Sequence, residues 1–398
     1  MITYAHSILI LCVTLAFAFL PAGSGVLAQG KGTIKIATQS PLSGGQAALG
    51  EGIKLGTQLA VEKFKGTLEK QGFKVELVPF DDQAKPDVGV ANAKNIIADK
   101  DIMVVIGHLN SGVAIPSSEV YKEVSLAMIS PANTNPTITD RGYKNIYRVC
   151  GRDDVQGVVG SEFAHDILKA RSVYIIHDKT TYGQGVAEFF KADAQKRGMK
   201  ILGFEGTEEK SNFDPIITPI RAKKPDLIYF GGLYEQAAPF FKQAREKGVK
   251  SKFLGPDGLD SSDLTKIAGN AVVGMYYTSV AGPVTVYPAA KQFADEFKKS
   301  FGKNPEPFSA QAYDATAILI KAIEAAAHGG KAPTRDAVTA AVRSVKYSGV
   351  TGNIEFDSKG DPRKALYFVL QVASPDPEKW GDNKEVKRLS IAPPTPGA

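Results

Sequence analysis

Charge is missing from the start of this 398-residue chain, with no Lys, Arg, Asp or Glu before Lys31. Within that stretch Ile8–Leu20 is a predominantly apolar run, followed by Pro21, Gly23, Ser24 and Gly25 and then Val26-Leu27-Ala28. The run is short for a bilayer span, which needs about 20 apolar residues. Its parts are those of a secretory signal with cleavage after Ala28, although the usual Lys or Arg ahead of the apolar core is replaced by His6. Cysteine is almost absent. Cys12 leaves with the signal, and its L-I-L-C context lacks the small residues of a lipid-anchor cleavage site. Cys150 then stands alone, which excludes an internal disulfide. Its flanks, I-Y-R-V-C-G, read as a strand end, so a buried, inert thiol is expected.

Other absences narrow the function. Of five histidines, His165, His177 and His328 show no metal-ligand spacing, so no metal and no cofactor is expected. The formal charge of +6 carries no long basic run; Lys223-Lys224 and Lys298-Lys299 read as solvated helix faces, which argues against nucleic acid. A dinucleotide fingerprint needs G-x-G-x-x-G, but Gly50, Gly52 and Gly56 are spaced one residue too far, and no acidic residue stands alone at the end of the second strand. These glycines are expected to let a helix end approach a ligand or another lobe. The serine in "GHLNSG" lacks the G-x-S-x-G context of a nucleophile. His108 is expected to support that loop by bonding neighbouring backbone. An exported hydrolase built on Ser111 and His108 is the rival from another class. The pairs Asp81-Asp82 and Asp153-Asp154 place adjacent carboxylates on opposite faces, so neither is an acid/base dyad. Asp82 and Asp153 are expected to cap the segments that follow.

What is present is alternation. Apolar, β-branched runs (33–38, 73–79, 102–106, 126–130, 173–177, 200–204, 226–230) take turns with amphipathic stretches (50–65, 86–99, 112–124, 154–168, 184–197, 214–222, 235–247). This predicts an α/β fold with parallel sheets covered on both sides. The rhythm breaks near 148–156 and again near 278–287, then continues with helices over 288–301 and 310–328. Next comes "SGVTGNIEFDSKGDPRKALYFVLQV", which reads as two strands around a Ser-Lys-Gly-Asp turn. Length and breaks suggest two lobes, with "SIAPPTPGA" as a loose tail.

Parallel sheets bind ligands beyond the carboxyl ends of their strands. Four such loops share a chemistry: Ser111-Gly112, Pro131-Ala132-Asn133-Thr134, Thr181-Tyr182-Gly183 and Pro256-Asp257-Gly258. Hydroxyls and helix N-termini suit a carboxylate. An acidic residue on the opposing lobe suits an ammonium. A tyrosine covers an apolar side chain while its hydroxyl stays polar. Together they describe a binding site for an α-amino acid.

The segments "VIGHLNSG", "MISPANTNPTITDRGYKNIYR", "IIHDKTTYGQG", "LGPDGLDSSDL", "IAGNAVVGM" and "AYDA" resemble the periplasmic branched-chain amino acid binding proteins, the leucine/isoleucine/valine receptors of ABC importers, along about 33–372. The resemblance implies the type I periplasmic binding protein fold, with two Rossmann-like lobes, parallel central sheets and a multi-strand hinge. It divides the chain into a signal peptide (1–28), an N-terminal lobe (29–151 plus 281–356), a C-terminal lobe (152–280 plus 357–390) and a loose tail (391–398). It implies that Ser111 and Thr134 take the ligand carboxylate, that the Ala132 carbonyl and Asp257 take the ammonium, and that Leu109, Tyr182 and Phe308 complete the pocket. Asp257 stands where the family has Glu, one methylene shorter. Leu233, followed by Tyr234, and Leu49 stand where it has aromatics, which touches side-chain specificity. Ala84 and Asn110 occupy the approximate positions of its disulfide. The implied partners are a small-molecule amino acid and an inner-membrane ABC permease. The implied protein is a monomer in the periplasm, not an enzyme. Within the same fold, a receptor for an amide, urea or an aromatic acid is the alternative.

Overall fold

The structure is a computed structural model that describes Met1 and residues 31–287, 289–327 and 331–394. The expected signal segment after Met1, His328 and the last four residues lie outside the described residues.

The first sheet contains β1 (Thr33–Ser40), β2 (Lys74–Asp81), β3 (Ile102–Gly107), β4 (Ala127–Ser130) and β5 (Ile146–Arg148). All its pairings are parallel, in the order β2-β1-β3-β4-β5. Its inner strands β3 and β4 are largely apolar because helices cover both faces. One cover is the helix Ala47–Phe64, packed against Ser309–Ala326, which returns from the far end of the chain with Arg335–Val342. Gly56 sits at that helix contact, where a Cβ would stand 2.1 Å from the Ser309 carbonyl oxygen. Its role is therefore helix packing within this lobe, not the approach to a ligand or another lobe that its sequence suggested.

The second sheet contains β6 (Ser172–His177), β7 (Lys200–Gly206), β8 (Leu227–Gly231), β9 (Lys252–Gly255) and β10 (Tyr276–Ser279). The chain then forms a small hairpin, β11 (Tyr347–Gly349) and β12 (Gly352–Ile354), before adding β13 (Ala365–Gln371) and β14 (Lys384–Ile391) to the second sheet. The order is β14-β13-β10-β9-β8-β6-β7. Strands β6 to β10 pair in parallel, and β13 runs antiparallel to β10 and β14. Two expectations need correction here. The strand pair around Ser-Lys-Gly-Asp reduces to a single bridge, Phe356 to Pro362, because the chain changes sheets at that turn. The tail is not loose from Ser390 or from 391: Ser390 and Ile391 pair with Leu366 and Ala365, and Leu389 and Ile391 pack on the core.

The chain passes between the sheets after β5, after β10 and between β12 and β13. A buried ionic cluster ties the first and third passages. Asp361 receives Arg148 Nε at 2.6 Å, Arg152 Nη1 at 2.8 Å and the Thr139 hydroxyl at 2.7 Å. Burial alone would raise the Asp361 carboxyl, but Arg148 and Arg152 hold it below its ordinary value. Cys150, between the two arginines in sequence, is buried, and burial pushes its thiol far up. Among the described residues no helix is long and apolar enough to cross a membrane.

Candidate functional site

The carboxyl ends of the parallel strands of the two sheets face each other, and the lobes touch there. Gln46 Nε2 donates to Glu235 at 2.7 Å, Asn135 Nδ2 donates to the Thr181 carbonyl at 3.2 Å, and Ser262 donates to Glu306. Between them is a narrow cleft, partly open to solvent, whose cavity volume is only about 20 Å³. That is far below the roughly 300–1,000 Å³ typical of ligand pockets, so the walls have closed almost onto one another and a ligand enters only if the lobes part. Its walls are Leu49, Leu109, Asn110, Ala132, Tyr182, Leu233, Asp257, Gly258 and Phe308.

Seven of the ten residues proposed from sequence therefore line this one cleft. Ser111 and Thr134 are buried one and two positions along the chain from lining residues. The Ser111 hydroxyl accepts from Asn135 N at 3.5 Å, and the Thr134 hydroxyl has no partner among the described residues. Tyr234 is not brought to the cleft. Its ring is fully buried in the second lobe, where burial and then the charges of Asp263 and Glu306 keep its hydroxyl protonated.

On the first lobe Asn133 laces the loops after β3 and β4 together. Its Oδ1 accepts from His108 N at 3.0 Å and from the Ser130 hydroxyl at 2.7 Å, while its Nδ2 donates to the Leu109 carbonyl at 2.9 Å. Leu109 and Ala132 are thereby fixed side by side. The His108 ring does not bond backbone, as expected from sequence, but side chains: Nδ1 lies 3.3 Å from Asp82 and Nε2 lies 3.4 Å from the Tyr121 hydroxyl. The ring is spoken for on both nitrogens, and Ser111 is bonded elsewhere, so the base–nucleophile contact of a hydrolase is not formed. Asp82 does not cap the following helix, whose N-cap is Lys85; its other oxygen accepts from Ala84 N in the turn before it. Phe308 sits at φ 69°, in the left-handed region that bulky residues avoid. Such strain persists where surrounding packing over-determines it, and here it holds the ring on the cleft wall.

On the second lobe Asp257 is the centre. Its Oδ1 accepts from the Tyr182 hydroxyl at 2.6 Å and from Gln156 Nε2 at 2.9 Å, and its backbone N donates to Gln156 Oε1 at 3.0 Å. Tyr182 accepts from Gly258 N at 2.7 Å. Gly258 has to be glycine, since a Cβ would stand 2.5 Å from the Gly232 carbonyl oxygen. Asp257 is 2% exposed; burial, with the charge of Asp260, pushes its carboxyl up to about 7. Asp153 lies beside it. It does not cap the helix Asp153–Glu162, whose N-cap is Arg152. Both its oxygens are buried without a hydrogen-bond partner among the described residues. Burial and then the charge of Asp257 push it well above the carboxylate range, against the lowering pull of the neighbouring Thr134 hydroxyl and the Arg148 guanidinium.

Sequence reasoning missed Asp153, Gln156 and Asn110. The aspartate was visible only as half of a doublet, and the two amides carried no signal at all.

Residues 33–376 match the family described as periplasmic binding protein. The chain belongs to that family. It is 35% identical over 339 residues to the Leu/Ile/Val-binding protein homolog 2 of Brucella abortus, covering 85% of this chain and 90% of that one. It is 33% identical over 354 residues to a leucine-, isoleucine-, valine-, threonine- and alanine-binding protein of Pseudomonas aeruginosa, covering 88% and 92%. Its fold superposes on the crystal structure of a leucine binding protein from Thermotoga maritima with a TM-score of 0.79 and 29% identity, over 89% of this chain and 98% of that one. The family places such chains outside the cytoplasm, and the relatives matched are binding proteins.

Proposed function

We propose that this protein is the substrate-binding component of an ABC importer. It captures a branched-chain or other apolar α-amino acid in the periplasm by lobe closure and delivers it, as a monomer, to an inner-membrane permease. The observation that carries this reading is the pair Asp257 and Asp153: two buried carboxylates with no cationic side chain at ion-pair distance among the described residues. A buried charge is costly unless paired. An ammonium placed between Asp257 and the Ala132 carbonyl supplies that pairing. Tyr182 and Gln156 both bond Oδ1, which leaves Oδ2 for the ligand.

The ligand carboxylate then falls to the first lobe. The N-terminus of the helix Ser111–Lys122 offers backbone N–H groups, and the hydroxyls of Ser111 and Thr134 offer two further donors. Leu49, Leu109, Leu233 and Phe308 cover an apolar side chain. Only the closed form engages both ends of the zwitterion, so the ligand favours closure by its differential contacts. A ligand without an ammonium, such as an aromatic acid, leaves both aspartates without a counter-charge. The test is native mass spectrometry of the purified protein for carried-over ligand, followed by a thermal-shift panel of the amino acids. A true ligand raises the melting point by mass action. No shift with any amino acid refutes the ligand class.

A further inference from the structure

Asparagine is among the best helix N-caps because its side-chain oxygen accepts from the first turn. Asn110 holds that position at the helix Ser111–Lys122, yet its side chain makes no capping bond. Its amide is drawn away by a relay that crosses the cleft. Glu235, on the second lobe, is ion-paired to Lys210 at 3.2 Å and can only accept hydrogen bonds. It therefore takes the NH₂ of Gln46, at 2.7 Å. This turns Gln46 Oε1 away from Glu235, towards Asn110, whose Nδ2 donates to it at 2.8 Å. Gly45 leaves room for the relay, since a Cβ there would stand 2.1 Å from Glu235 Oε2. One group is left over. Asn110 Oδ1 is buried, has no hydrogen-bond partner among the described residues, and belongs to a residue on the cleft wall.

We propose that Asn110 is a specificity-determining residue, whose side-chain oxygen accepts a hydrogen bond from a donor on the ligand's side chain. The inference rests on the α-amino acid reading above and shifts its preference from a wholly apolar side chain to one that also carries a donor. A carboxylate has no use for an acceptor, and the ammonium is served by Asp257 and Ala132; the ligand's side chain is the part that remains. Among ligands of one shape, the site then favours those with a hydroxyl or carboxamide. Leu49, Leu109, Leu233 and Phe308 pack the rest of the side chain, and the acceptor is oriented only when closure brings Glu235 to Gln46.

Threonine and valine have nearly the same shape and differ in one donor, so their ratio of affinities reads the effect. Calorimetry on the full exported chain is expected to give threonine a Kd about tenfold or more below that of valine. In Asn110→Leu the ratio falls to about one, because the acceptor is gone while the branched outline of the side chain is kept. In Glu235→Gln the side chain at 235 can donate as well as accept, so Gln46 no longer has a fixed orientation and the ratio falls again. A general effect on closure changes both affinities together and leaves the ratio alone. Equal affinities in the unaltered protein, or a ratio unmoved by Asn110→Leu, overturn the inference. Failure of the unaltered protein to bind any α-amino acid overturns instead the reading on which it rests.

Discussion

Replacing Asp257 with Asn separates ligand binding from stability in opposite directions. The Asp257 carboxyl is raised from 3.8 to about 7, first by burial. A group that binds its proton more tightly when folded costs stability as pH rises between those two values. At 1.36 kcal/mol per pH unit, the cost to the ligand-free protein is about 4 kcal/mol by pH 8. Asn keeps an oxygen for Tyr182 and Gln156 but carries no charge to repel Asp153. The ligand-free variant is therefore expected to match the original protein near pH 4 and to be more stable at pH 8, by up to about 4 kcal/mol. Binding moves the other way. A buried ammonium that loses its partner costs about 3–5 kcal/mol, which is roughly 10²–10⁴-fold in affinity. Denaturant melts at pH 4, 6 and 8 measure the first effect, and titration calorimetry measures the second. Unchanged affinity, or a variant less stable than the original at pH 8, refutes the reasoning.

Three further outcomes follow from the same groups. Because the ammonium needs the ionised form of a carboxyl that titrates at about 7, affinity should rise between pH 5 and pH 7 by up to about tenfold per unit and level off above it; calorimetry across that range would contradict this with a flat profile. Asp361→Ala leaves Arg148 buried without its partner and should cost about 3–5 kcal/mol in denaturant melts at pH 7. Since Asp361 lies below its ordinary value, its contribution is present above about pH 4 and is lost as pH falls further, so the deficit of the variant should shrink in acid. The Cys150 thiol, buried and held protonated, should resist a thiol reagent in the native protein and react on unfolding; fast labelling at neutral pH would contradict its placement.

The repeated strand–helix rhythm was legible because parallel strands buried on both faces are continuous apolar runs, as in Leu227–Gly231, which is buried throughout. Short elements escaped. Ile146–Arg148 has three residues, too few for any period to show, and the hairpin 347–354 splits what reads as one strand. The loops after strands pointed to the cleft because the chain must place them at the sheets' carboxyl ends. What could not be read was pairing at a distance. Asp153 looks like a cap until Asp257, about a hundred residues on, is folded beside it. Asn110 looks like a cap too, until Gln46 and Glu235 claim its amide from two other segments. Local statistics describe the default partner of a side chain, and at this site tertiary contacts replace that default.

The central claim is that the cleft recognises an α-ammonium through Asp257. Its most direct test compares, by titration calorimetry at pH 8, the amino acid giving the largest thermal shift with its deaminated acid, which keeps the carboxylate and side chain. The amino acid is expected to bind at least about 100-fold more tightly. Equal affinity for the two would contradict the account.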